Sequence, residues 1–398
     1  MSTYDEELTR ELQARAADVP GEILTLDDVK RAAHRLRWQR RAAVGAAAAV
    51  VVAIAVPVGL SVSAGWDRSG PDLAPSPSPT PLPTEPKHVV LTTDVVEESG
   101  EPAIPYLYDG AINLPTGTLV GVPGSYDGLA RLGEGWVLTG NDASGNRAVT
   151  FADSDGQVTE TVPGSGWVAL SADGSLVAFT EGNQVKVRSA TTGETWTMPG
   201  KTEGDGYPVG VVGQDGRCET TPADSLYVCT VYLNDDSGAK VTGGEFVGMP
   251  PYVEVADLSV DGTTSGTVSA TDAGSCSEVN YGDGQALWGT CDYSLGRFSP
   301  DGGLVIGRPA YLDGAGDDLV AILDATTGAL LAEFKSSPEN PAMINNAVWE
   351  NDRTMLATVY QDGTWTLMRM TADGELTRVT DLVGGEDFSP PLFLPTIP

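Results

Sequence analysis

A chain of 398 residues, 41 % of them hydrophobic, is long enough for more than one domain and apolar enough for a sizeable core. Its formal charge of −32 excludes a nucleic-acid partner, because phosphate neutralisation needs Lys and Arg, and two histidines leave little for histidine-based catalysis or metal binding. Residues 1–41 balance eight basic against eight acidic side chains, so the whole negative excess lies beyond them.

Tyr4 to Ala17 carries Leu8 and Leu12 at i, i+4, which predicts a helix that Pro20-Gly21 ends. Thr25 stands as the N-cap of a second helix, with Asp27 and Asp28 in its first turn. Lys30 to Arg41 then holds six basic residues and no acidic one. Two uses fit this head. Leu8, Leu12, Leu26 and Val29 can dock a cytoplasmic partner as apolar anchors, or the basic stretch alone sets topology and contacts anionic membrane lipid.

Ala42 to Leu60 contains no charged side chain, and at about 1.5 Å per residue a helix there covers the roughly 30 Å of bilayer hydrocarbon. Residues 42–64 are therefore expected to form one transmembrane helix. The basic cluster before it places the head, 1–41, in the cytoplasm and everything after it outside the cell membrane. Trp38 and Trp66 suit the two interfacial belts. A signal-peptide core cut after Val62-Ser63-Ala64 is the other reading of this stretch. Residues 65–87 follow as a stalk, in which seven prolines from Pro71 to Pro86 alternate with Ser, Thr and Ala, a composition that favours extended polyproline II.

Residues 88–398 repeat themselves. Trp167-Val168-Ala169-Leu170-Ser171-Ala172-Asp173-Gly174 leads to Val185-Lys186-Val187-Arg188 and Thr192-Gly193. Phe298-Ser299-Pro300-Asp301-Gly302 leads to Leu319-Val320-Ala321-Ile322-Leu323 and Asp324-Ala325-Thr326-Thr327-Gly328. Weaker copies start at Trp136 and Trp349. Each unit reads as strand, Asp-Gly two-residue hairpin, strand, loop, strand, with a repeat length near that of a four-stranded blade. The Ser-Pro-Asp-Gly and Asp-Ala-Thr-Thr-Gly pieces resemble those of WD-like and TolB-like β-propellers. That resemblance implies an all-β domain of six or seven blades over 88–398, with 201–295 as one or two blades bearing elaborated loops. His88–Leu91 or Pro391–Leu394 supplies the strand that closes the ring, and a pair of β-sandwiches is the all-β alternative.

Cys218, Cys229, Cys276 and Cys291 all lie in the outer part, where an even number in an oxidising compartment points to disulfides. The local pairing is Cys218 with Cys229 and Cys276 with Cys291; four buried thiols is the other reading. With one histidine beyond the head, His88, no catalytic residue and no cofactor are expected. Calcium is the one metal the loops suit, with Asp153, Asp155, Asp313 and Asp317 as candidate ligands set against their ordinary use in turns. Trp136, Trp167, Trp349 and Trp365 are expected in the core, while tyrosines including Tyr106, Tyr207 and Tyr252 are expected in loops on a binding face.

The layout of head, Ala/Val-rich span, Pro/Ser/Thr stalk and outer propeller resembles actinobacterial single-pass membrane regulators of the anti-sigma type. That resemblance implies a non-enzymatic propeller that binds an envelope protein or small ligand and relays its state to a cytoplasmic sigma factor. The head has no cysteine and so lacks the zinc signature of one class of such regulators. A glycan-acting enzyme with a carboxylate pair and a structural envelope scaffold remain the rival readings.

Overall fold

The computed structural model describes residues 85–397 apart from 98–99, 214, 219–228, 244–245, 272–273, 283, 312–315 and 388. The expected head, membrane span and most of the stalk lie outside them, and no helix among the described residues is long and apolar enough to cross a membrane.

Short runs of β-branched and aromatic residues between Gly- and Asp-bearing turns build seven antiparallel sheets, the blades of one β-propeller. Six blades follow the chain from the channel outward. Their innermost strands are Tyr126–Leu132, Val168–Leu170, Tyr207–Val212, Glu254–Leu258, Tyr293–Phe298 and Met343–Asn351, in blades two to seven. Blade one is composite: Leu392–Phe393 takes the inner place and pairs antiparallel with Tyr106–Tyr108, followed by Ala111–Asn113 and Leu119–Gly121. The C-terminal candidate therefore closes the ring. Lys87–Leu91 instead adds a fifth, parallel strand to the outer edge of blade six, against Leu330–Ser336. The irregular stretch 201–295 holds two blades, four and five.

The core is divided among the gaps between blades. Seven buried clusters occur, one for each neighbouring pair. The gap between blades six and seven is the richest, with Ile306, Ile322, Phe334, Trp349, Met355 and Met368 among its members. The gap between blades four and five is the poorest, with only Ala239, Tyr252 and Val255 buried in it. Polar ties work there instead: Asn234 Nδ2 donates to Val255 O at 2.8 Å, and Val255 N donates back to Asn234 Oδ1 at 2.8 Å.

Both disulfides pair as the spacing suggested, Cys218 with Cys229 and Cys276 with Cys291. The hairpins differ from expectation. Asp173-Gly174 and Asp301-Gly302 sit in four-residue loops, closed where Ser171 N and Ser299 N donate to Leu176 O and Leu304 O at 3.0 and 2.9 Å. The serine hydroxyl donates to the Asp carboxylate, and the carboxylate accepts the amide two residues on, so the side chains define the turn. The two-residue turn occurs at Asp109-Gly110 and Asp362-Gly363, each with both residues at positive φ (50° and 71°, 51° and 81°), as that hairpin demands.

Candidate functional site

The C-terminal ends of the innermost strands of blades three to seven meet around a cavity of about 390 Å³ at one mouth of the channel. Leu170, Val211, Leu258, Phe298 and Trp349 face it from five successive blades, and Ile397 faces it from the closing tail. A second hollow of about 260 Å³ shares Leu170, Ala172 and Ile397 as its wall. The alternation that buries one side of each strand between blades thus leaves apolar strand ends to line the opening.

Few charged groups reach it, and most are already engaged. Glu350 accepts from Arg369 Nε and Nη2 at 2.6 and 2.8 Å and from Ala103 N at 2.6 Å. Burial pushes the Asp257 carboxyl up to about 6, although the Arg297 charge and the Phe298 N–H (2.7 Å) pull the other way. Arg297 also donates to Ile397 O at 2.8 Å, which fixes the tail in the mouth together with the Thr396 N to Leu129 O bond at 2.6 Å. On the rim, burial raises Asp173, but hydrogen bonds from Ser171, Ser175 and Asp215 outweigh it and hold the carboxyl down to about 2. The arrangement is an apolar hollow to which Asp257 and Glu350 bring carboxyl groups, and not one histidine lines it.

The sequence candidates are placed as follows. Asp153 lies in blade two and accepts from Asp155 N and Gln157 N at 3.0 and 2.9 Å, so it shapes its own turn. Asp317 lies in blade six, 3 % exposed and paired with Arg308. Asp313 is outside the described residues, as are Leu8, Leu12, Leu26 and Val29. Among the described residues no group of three or more His, Cys, Asp or Glu side chains is placed to hold a metal. Trp136, Trp349 and Trp365 are core, at no more than 2 % exposure, but Trp167 is 63 % exposed and corrects the expectation made for it. Tyr106 and Tyr252 are corrected in the opposite sense, since both are buried. Asp257, Arg297 and Ile397 carried no sequence signal, because ring closure alone brings them together.

No protein-family model matches this chain, and no curated protein matches it. Solved structures do resemble it. The β-propeller domain of Cps50 (Swd1) from Myceliophteria thermophila is 11 % identical over 66 % of this chain and 87 % of that one, with a TM-score of 0.44. The β-propeller domain of the Trilobed protease from Pyrococcus furiosus is 14 % identical over 65 % and 86 %, with a TM-score of 0.41. An acylaminoacyl peptidase from Pyrococcus horikoshii is 15 % identical over 64 % and 46 %, with a TM-score of 0.39. The likeness is one of propeller architecture and carries nothing about ligand or activity.

Proposed function

We propose that this chain is a non-enzymatic binding propeller, anchored by residues 42–64 with the propeller outside the membrane, which takes an envelope protein segment or small ligand at the channel mouth. The observation that carries this reading is the cavity of about 390 Å³ lined by apolar strand ends from five blades. Its carboxylates support binding over catalysis. Glu350 spends both oxygens on Arg369 and Ala103, leaving no free partner for Asp257 in a glycosidase-type pair. Residues 1–41 then serve as the cytoplasmic arm, docking a partner such as a sigma factor through Leu8, Leu12, Leu26 and Val29.

Two variants of the full chain test the two halves of this reading. Val260→Trp adds bulk at a cavity residue that is 66 % exposed, so folding is preserved while the mouth narrows. Capture from solubilised envelope by wild type but not by Val260→Trp is the expected result, and equal capture by both removes the channel mouth as the site. Leu8→Asp with Leu12→Asp should abolish recovery of a sigma factor from the cytoplasmic fraction; full transcriptional competence of that variant refutes the relay.

A further inference from the structure

The innermost strands have two ends, and the end away from the cavity carries a second feature. Trp167 precedes Val168–Leu170, Tyr207 opens Tyr207–Val212, and Glu254 opens Glu254–Leu258. The Trp167 indole is 63 % exposed and lies against the Tyr207 ring, with centroids 5.7 Å apart and planes tilted by 39°. Large aromatic rings are ordinarily among the most deeply covered side chains, as the other tryptophans at blade centres are here.

The exposed ring is held from both sides. On one side the loop Gly164-Ser165-Gly166 is tied down by Gly164 N to Arg147 O at 3.3 Å and Ser165 N to Thr180 O at 3.2 Å. Arg147, itself paired with Asp127, reaches Gly166 O at 3.4 Å. Gly166 has φ +83°, and a Cβ there would collide with the Arg147 guanidinium, so only glycine lets the arginine lie beneath the loop. On the other side the Tyr207 hydroxyl donates to Glu254 Oε1. A rigid, solvent-facing indole needs little ordering when a ligand arrives.

We propose that Trp167 and Tyr207 form a saccharide-binding platform, on which an uncharged pyranose lays its C–H face over the indole while its hydroxyls meet Arg147 and Glu254. Three observations select that ligand class. The apolar surface is small, an exposed indole face flanked by a tilted Tyr207 ring: two aromatic side chains present at most about 150–250 Å² each, well short of the roughly 800 Å² per partner that a stable protein interface needs. Its two polar flanks differ in kind, a half-exposed guanidinium beside Gly166 and an exposed carboxylate at Glu254, so a donor and an acceptor are both on offer. Asp127 already neutralises the guanidinium, so that flank offers hydrogen-bond donors more than charge, and a ring bearing hydroxyls uses both the guanidinium N–H groups and the Glu254 carboxylate. The platform does not depend on the channel cavity, which lies at the opposite end of the same strands.

The test is isothermal titration of the full chain in detergent with neutral oligosaccharides, chitohexaose, cellohexaose and mannohexaose among them, followed by tryptophan fluorescence. At least one is expected to bind saturably. Trp167→Ala should weaken it about tenfold or more with an unchanged melting temperature, because little of the side chain is buried. Trp167→Phe should keep part of the affinity, and Tyr207→Phe, which loses the bond to Glu254, should weaken it several-fold. Val260→Trp should bind as wild type does, which separates this site from the channel mouth. Binding by none of the sugars, equal binding by Trp167→Ala, or saturable binding only of a hexalysine peptide overturns the proposal.

Discussion

Asn234 is the residue whose loss should reveal how blades four and five are joined. It is 3 % exposed, and both ends of its amide bond the Val255 backbone across the gap at 2.8 Å. The apolar cluster there holds three buried residues against seventeen between blades six and seven, so little else compensates. Asn234→Ala leaves the Val255 N–H without this partner and its carbonyl short of one, at a cost of about 1–3 kcal/mol for each buried group, or about 2–6 kcal/mol together. With an unfolding entropy of about 0.65 kcal/mol/K for a folded unit of this size, the melting temperature should fall by about 3–9 °C. Asn234→Asp keeps an acceptor for Val255 N and loses the donor, so it should fall between. Calorimetry gives the magnitude, and hydrogen exchange over residues 230–258 gives the location. A shift below about 1 °C, or protection lost evenly around the ring, would refute the idea that this side chain substitutes for a thin core.

Asp257, raised to about 6, is protonated more readily folded than unfolded, so its favourable contribution is complete below the unfolded carboxyl range and is lost as pH rises through about 6. The melting-temperature difference between wild type and Asp257→Asn should therefore decline from pH 4 to pH 7, and a rise would contradict the burial argument. Asp173, held down to about 2, has the opposite sign: its stabilisation is present above the unfolded value and disappears as pH falls toward 2, and Asp173→Asn should remove that dependence. Replacing Cys276 and Cys291 with Ser opens a crosslink of 15-residue separation and should cost about 3 kcal/mol in chemical denaturation, with the two singles no worse than the double. Leu91 is fully buried between blades six and seven, so Leu91→Ala should cost about 2–5 kcal/mol; a truncation beginning at Thr92 should be less stable than one beginning at Glu85 by at least as much.

Periodic side-chain chemistry made the fold legible. The Ser-x-Asp-Gly segments at 171–174 and 299–302 announce blades because serine, aspartate and glycine each perform a distinct task in the turn, and Ser259 and Asp261 make the same hydroxyl–carboxylate bond in a loop one residue shorter. Disulfide pairing was legible for a related reason: Cys276 and Cys291 lie beside the cross-strand pair Ser277–Thr290, so neighbours in sequence become neighbours across a hairpin. Blades four and five were harder to read, since their gap is closed by Asn234 and Tyr207 in place of a hydrophobic run, and polar ties leave no periodicity to detect.

The sites obey different rules. Trp167 stands one residue outside its strand, beyond the sheet packing that buries Val168, Ala169 and Leu170 on both faces, and Gly166 at positive φ turns its backbone away from the strand path. A strand pattern extended by one residue therefore counts Trp167 as core, and only the Gly-Ser-Gly before it signals otherwise. The channel mouth is less legible still. Asp257 and Arg297 belong to adjacent blades and Ile397 to the tail that closes the ring, so their meeting is a property of the closed circle. Blade number sets that geometry: with seven blades, the last strand pairs with Tyr106–Tyr108 in blade one, and the tail after Phe393 is directed into the opening that the other blades leave. Ile397, which lines the opening, is held there by Arg297 and follows directly on the strand that holds the ring shut, so the shape of the mouth depends on ring closure.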